Sequence, residues 1–227
     1  RHTRYISVTG VQTCALPICS ETTQVFHLAA AYDLAVEKEL AYRVNLEGTR
    51  NVNAFTASMK NLRRYNYVST CYVAGKRTGP ILETELAHDA GFRNHYEETK
   101  YLAELEVEYL KSQLPVTIYR PSVVVGDSQT GETAKYDGIY YLILYLRKAP
   151  SLLRVINVGN NDVRLNLVPV DFVVESIAAL SRDGAAQGKT LAIADPEPLT
   201  TAELFDVIAK ELTGRVSEFT PPPRLVE

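Results

Sequence analysis

Short apolar runs at Gln24 to Ala30, Arg64 to Thr70 and Pro115 to Tyr119 are separated by stretches with the length and patterning of helices. No other feature constrains the fold as much. A tight hairpin cannot bridge such gaps, whereas a helix crossing over a sheet can, and parallel strands need that crossover. The expected fold class is therefore α/β, a parallel sheet with right-handed connections. The first run, Gln24-Val25-Phe26-His27-Leu28-Ala29-Ala30, reads as a buried strand of that sheet. It ends in small residues, which let a flat ligand approach the backbone. Val36 to Met59 reads as a helix with Leu40, Val44, Val52 and Phe55 on its inward stripe and a break near Asn45. Cys71 to Arg93, rich in glycine, proline and acids, reads as a loop, and Asn94 to Ser112 as a strong amphipathic helix.

From Gly126 the pattern changes. Asp127 to Tyr136 is polar and loop-like, and Gly138 to Arg147 is an aromatic-rich helix. Its Tyr140, Tyr141 and Tyr145 read equally as packing aromatics with wet hydroxyls or as the edge of a substrate cleft. Leu165 to Val168 and Lys189 to Ala194 read as strands, and Val170 to Ser181 as a helix opened near Asp171. Thr200 to Thr213 reads as a helix with Thr200 or Thr201 as N-cap and Gly214 just past its end. Pro221-Pro222-Pro223-Arg224 resembles an interior linker.

With 46% hydrophobic and 22% charged residues the chain has the composition of a globular protein of one to two domains. No apolar run is long enough to span a bilayer. A formal charge of -3 with scattered basic residues gives no footprint for nucleic acid. Cys14, Cys19 and Cys71 have neither metal-ligand nor disulfide spacing, which fits a reducing, cytoplasmic setting.

Chemistry concentrates at Tyr96-Glu97-Glu98-Thr99-Lys100, read with Val68-Ser69-Thr70. A tyrosine and a lysine four residues apart share one helix face. A hydroxyl at the end of a strand can meet them, giving a set able to move a proton to or from a carbonyl oxygen. A phenol near pKa 10 is too weak an acid for that work at neutral pH. A neighbouring ammonium is expected to pull Tyr96 down. Glu97 and Glu98 read as a solvated first turn that suits the helix dipole. His27, His95 and Cys71 read as structural, and Asp171 as a helix cap or inter-lobe contact.

His27-Leu28-Ala29-Ala30, Asn45 within Val44-Asn45-Leu46-Glu47-Gly48-Thr49, Val68-Ser69-Thr70, Tyr96-x-x-x-Lys100 and Tyr119-Arg120-Pro121 follow in the order of the extended short-chain dehydrogenase/reductases, and the chain resembles that superfamily from about Gln24 to Gly214. Gly91 to Lys100 and Tyr119 to Gly131 resemble its thioester-reductase or male-sterility branch. The resemblance implies a Rossmann-like doubly wound sheet with a small C-terminal substrate lobe. It implies an NAD(P)-dependent oxidoreductase, with hydride passing to or from a carbonyl, hydroxyl or acyl-thioester substrate. It also implies catalytic roles for Thr70, Tyr96, Lys100 and Asn45, the last anchoring a relay water. NADP or NAD would be contacted by Ala29, Ala30, Ser69, Tyr96, Lys100, Pro121 and Val123. Implied partners are acyl-CoA or an acyl-carrier thioester, and a second copy in a homodimer. Ala74 departs from the tyrosine expected there. A nucleotide-sugar epimerase, a hydroxysteroid-type dehydrogenase and a non-catalytic dinucleotide-binding protein are the alternatives. A sugar 4,6-dehydratase is disfavoured because Cys71-Tyr72 follows Thr70.

The front of the chain reads differently. Val8 to Ile18, with Arg1-His2-Thr3-Arg4 upstream, resembles an in-frame translation of a short-read sequencing adapter. The expectation is that residues 1–18 are foreign and that natural sequence begins at about Cys19 or Ser20. Cys14 to Ile18 is too short for a signal-peptide core. Ile6-Ser7-Val8-Thr9-Gly10 imitates a strand leading into a glycine, but no G-x-x-G-x-x-G follows. In this superfamily that loop and the residue choosing between NAD and NADP lie in the first two strands. The expected organisation is 1–18 adapter-derived, 19–125 the remainder of an N-terminally truncated dinucleotide-binding domain, and 126–227 mainly a substrate lobe. Segments near 155–182 are expected to return to the first domain. With its partners on one side missing, the first strand is expected to become an exposed apolar edge, and the chain as written to be poorly soluble and inactive.

Overall fold

The computed structural model describes residues 16–136, 138–148 and 161–216. Most of the adapter-like segment and the proline run at 221–223 therefore lie outside the described residues. Within that segment the backbone from Leu16 enters a short helix, α1 (Leu16–Glu21). The chain divides into two compact units, Arg1–Ser122 with Glu175–Ile193, and Val123–Val174 with Ala194–Glu227.

The first unit is built on a parallel sheet in the order β1-β2-β3-β6: β1 (Gln24–His27), β2 (Arg64–Val68), β3 (Val116–Pro121) and β6 (Thr190–Ile193). The register pairs His27 with Tyr67, Val68 with Tyr119 and Ile118 with Thr190. β3 is buried along its whole length, as the central strand of a covered parallel sheet must be. β1 is the outer strand of the described sheet, and of its four residues only His27 is buried, as expected of a strand left without a partner on one side.

Between β1 and β2 run α2 (Lys38–Ala41), a π-helical stretch Tyr42–Glu47 and α3 (Gly48–Ala57). The break expected near Asn45 is this π-helix, a widened turn that admits an extra residue. The expected stripe is corrected in part: Leu40 and Phe55 are exposed, Val52 packs against the core, and the buried residues include Ala41, Asn45, Thr49, Asn53 and Thr56. That face is shifted by one residue and is mostly polar because partners wait for it. Thr49 donates to the Asn45 carbonyl (2.7 Å), and Asn53 accepts from the Tyr65 hydroxyl (2.8 Å). Leu46 supplies the apolar contact, packing with Tyr65, Tyr67, Val116 and Ile118 of the sheet and with Ala103 and Val107. The last two belong to α4 (His95–Leu110), capped by Asn94, whose side chain accepts from the Glu97 N–H (2.9 Å).

The second unit holds β4 (Val123–Val125), α5 (Ile139–Lys148), β5 (Leu167–Pro169) and α7 (Thr201–Thr213). β4 and β5 form a parallel pair. Helix α6 (Val170–Leu180) starts in this unit and ends in the first. The core here is Leu146 with Leu204, Phe205, Ile208 and Ala209. Thr200 caps α7 through a full capping box with Glu203, and Gly214 takes the left-handed conformation at its end (φ 73°). No helix of the described residues is long and apolar enough to cross a membrane.

Candidate active site

Tyr96, Lys100 and Glu104 lie four residues apart on α4 and all are buried. Opposite them β2 ends. Ser69 N–H still bonds to the Tyr119 carbonyl (2.7 Å), but Thr70 turns away into a 3-10 helix, Cys71–Ala74. Thr70 caps that turn, its hydroxyl accepting from the Tyr72 N–H (3.2 Å). Gly75 closes it at φ 60°, where a Cβ would run into the Gly91 carbonyl.

The Thr70 side chain stands near enough to the Tyr96 phenol to favour its ionised form. The ring of Tyr32 stands edge-on to Tyr96, with centroids 5.4 Å apart. The expected depression of Tyr96 does not occur in the protein alone. Burial pushes the phenol well above its ordinary value and outweighs the opposing influence of Thr70. Lys100 points elsewhere: its Nζ donates to the Tyr67 hydroxyl (3.0 Å) and the Val68 carbonyl (2.9 Å) and sits 4.6 Å from the Tyr67 ring centre. Burial pushes Lys100 down to about 8, against the opposing pull of the Glu104 carboxylate.

Asn45 ties two elements together. Its Oδ1 accepts from the Ala31 N–H (2.7 Å), while its Nδ2 donates to the Ala31 carbonyl (3.4 Å) and to Thr99 Oγ1 (3.0 Å). Ala29 and Ala30 stand just before that anchored loop, Ala29 exposed and Ala30 half-buried. Ser69 is buried and its hydroxyl donates to Glu104. Pro121 ends β3 opposite Ile193, and Val123 opens β4 in the second unit. The residues brought together in the first unit are thus Thr70, Tyr96, Lys100, Ser69 and, through Thr99, Asn45.

Glu97 is a second correction, being 2% exposed rather than solvated. Its Oε2 accepts from the Arg93 N–H (2.9 Å), so the first turn folds back on the loop before it. His27 is buried beside Thr49 Oγ1 (3.0 Å) and the Tyr67 ring. Sequence reasoning missed Glu104. This fully buried carboxylate receives Arg120 Nε (2.9 Å) and Nη2 (2.6 Å) on one oxygen and Ser69 on the other. The signal was available, because Glu104 repeats the four-residue spacing of Tyr96 and Lys100, and a glutamate on that face must meet the same interior.

In the second unit Val125, Gly126, Ile139, Ile143, Leu167 and Ile208 contribute to the walls of an open, largely apolar cavity of about 340 Å³. The Tyr140 hydroxyl, also at its wall, accepts from the Gly126 N–H (2.7 Å). Tyr141 is exposed, and the Tyr145 side chain lies outside the described residues. The Asp171 carboxylate accepts from Ser128 N–H (2.9 Å) and Oγ (2.6 Å), which holds it below the usual carboxylate range. Among the described residues no group of His, Cys, Asp and Glu could hold a metal ion.

Comparison with known proteins fits this geometry. The chain is 26% identical over 185 residues to the fatty acyl-CoA reductase wat of Drosophila melanogaster, covering 70% of this chain and 36% of that protein. It superposes with a TM-score of 0.78 and 25% identity on the terminal R domain from the myxalamid PKS-NRPS biosynthetic pathway, covering 94% of this chain and 53% of that one. A short-chain dehydrogenase/reductase superfamily protein from Agrobacterium tumefaciens with bound NAD shares the fold at a TM-score of 0.66 and 20% identity, covering 93% and 72%. The fold is therefore the Rossmann-like one of that superfamily. The family model described as male sterility protein matches residues 14–177, so the chain belongs to the male sterility family of NAD-binding proteins.

Proposed function

We propose that this chain carries the acid–base centre of an NAD(P)-dependent reductase acting on acyl thioesters or the aldehydes derived from them. The observation that carries this reading is the burial of Tyr96 and Lys100 one turn apart on one face of α4, with the buried Thr70 at the end of β2 beside Tyr96. Bound nicotinamide supplies the hydride. Tyr96, kept neutral by burial, is suited to give its proton to the carbonyl oxygen as charge develops there. Thr70 would hold that oxygen by a hydrogen bond worth about 3 kcal/mol if the donor is well placed. With a thioester, hydride and proton give a hemithioacetal that collapses to aldehyde and thiol.

The residues fit the nicotinamide-ribose end of the cofactor. Two of the three Lys100 protons are directed at Tyr67 and Val68, leaving one for a ribose hydroxyl. Ala29 and Ala30 offer small side chains beside a loop that Asn45 pins. That pinning supports a positioning role for Asn45 beside the relay water implied by the resemblance. No G-x-x-G-x-x-G occurs in the sequence to cradle the pyrophosphate. The apolar cavity of the second unit supports reading that unit as the substrate lobe, with acyl-CoA or an acyl-carrier thioester as partner. A cytosolic homodimer completes the reading.

The test is NAD(P)H oxidation by the protein at the length its source DNA encodes, with long-chain acyl-CoA against a nucleotide sugar. Acyl-dependent oxidation is expected, lowered about 100-fold or more by Tyr96→Phe and by Thr70→Ala. Epimerisation of the sugar without any acyl reduction would overturn it.

A further inference from the structure

Behind Lys100 lies a chain of buried polar groups that the proposed reaction does not use directly. Glu104 is fully buried one turn beyond Lys100 on α4 and takes hydrogen bonds from two strands, from Ser69 at the end of β2 and from Arg120 in β3. Arg120 is itself fixed by a bond from Nη1 to the Glu83 carbonyl (3.2 Å), and Glu83 accepts from the Ala192 N–H of β6. Ser69 precedes Thr70, so whatever fixes Ser69 also fixes where the Thr70 hydroxyl stands.

A lone salt bridge at this depth is a weak argument for stability, since desolvating both ions offsets most of their attraction. This pair has a further neighbour, the buried Lys100 ammonium, which burial disfavours. The groups facing Lys100 are the Tyr67 hydroxyl and Val68 carbonyl on β2, His27 on β1 and Glu104 on its own helix, with Arg120 reaching Glu104 from β3. Glu104 is the carboxylate among them.

We infer that Glu104 is a positioning residue of this site: one carboxylate oxygen anchors Ser69 and hence the Thr70 strand end, the other is clamped by Arg120, and its charge holds the proton on Lys100. The assignment rests on the Thr70–Tyr96–Lys100 reading above. It differs from a packing role in one respect. Packing depends on the shape of Glu104, whereas holding a proton depends on its charge.

The experiment titrates Lys100 by NMR in chain made with lysine isotopically labelled at Cε, the resonance assigned by its loss in Lys100→Arg. Glu104→Gln keeps the shape and removes the charge, and the Lys100 midpoint should fall by about 1 unit or more. Glu104→Asp keeps the charge on a shorter stem, and the midpoint should stay close to that of the unaltered chain. Should Glu104→Gln fail to fold because Arg120 is left uncompensated, Glu104→Gln with Arg120→Met removes both ions, and the midpoint should still fall. A midpoint that moves in the Asp variant and not in the Gln variant overturns the inference, as does one unmoved in all three. In the active enzyme, Glu104→Gln should displace the pH profile of kcat and Glu104→Asp should not. A protein at the length its source DNA encodes that reduces no acyl-CoA yet shows the Lys100 shift would refute the reductase reading alone.

Discussion

His27 meets Thr49 and Tyr67 with almost no solvent contact, and burial, assisted by the Lys100 charge, pushes its imidazole down to about 4. The unfolded chain takes up a proton near pH 6.5 while the folded one does not until about 4. Stability is therefore full above about 6.5 and falls as pH is lowered through that window, by up to about 3 kcal/mol. Urea unfolding at pH 7 and pH 5 should show the loss, and His27→Gln should flatten it. Lys100 carries the same sign at the other end: with its pKa held near 8, stability should rise between about pH 8 and 10.5 as the buried ammonium sheds its proton. At this scale Tyr96 and Lys100 were legible in the sequence because a four-residue spacing is geometry. The same spacing marked Glu104 as inward-facing, but its role was not legible, because its donors Ser69 and Arg120 come from the end of β2 and from β3. Glu97 was read as solvated although its donor, the Arg93 N–H, lies only four residues before it.

The helical stretch from Lys38 to Ala57 shows the same limit one level up. Its existence and its break near Asn45 follow from the sequence, but its inward face does not. Hydrophobic patterning chooses valine, leucine and phenylalanine, whereas the sheet and α4 present hydroxyl, amide and ring partners that small polar residues satisfy. Asn45→Ala should remove both bonds to the Ala31 backbone and the one to Thr99, whose hydroxyl keeps its bond to the His95 carbonyl, and cost about 2 kcal/mol in chemical denaturation, the loss being offset in part by water. Thr56 makes the opposite case. Its hydroxyl is buried with no hydrogen-bond partner, so Thr56→Val keeps the shape, removes an unmet polar group and should raise the midpoint of unfolding, by about 1 kcal/mol. The α7 capping box, by contrast, was legible in outline, because a cap is written in local residues alone.

For the molecule as a whole, a parallel sheet was legible as an alternation of strands and helices, and so was the exposure of its first strand, whereas the order of the strands was not. Phe26 on β1 is 46% exposed, and Leu28, Tyr32 and Leu34 follow it at the surface. An outer strand with unpaired backbone groups and apolar side chains is a template for association. Sedimentation of the 227-residue chain should show concentration-dependent self-association, and Phe26→Lys should reduce it; a monomer at every concentration would refute this. The chain spans 36% of the Drosophila reductase and 53% of the R domain it matches.

The pairing of β3 with β6 has a consequence for how the protein is made. Ile118 lies opposite Thr190, with β4, α5, β5 and α6 placed between them in the chain. A ribosome adding roughly 5–20 residues per second needs about 4–14 s to deliver the partner strand after β3 has emerged. Throughout that interval the most buried strand of the sheet waits with one flank open, while the first stretch of the second unit, Val123–Val174, is made. The core of that unit needs α7, which is made only after β6, so the first unit can close before the second is complete. A slowed passage through codons 123–189 should lower the yield of native protein more than the same delay placed after Ile193.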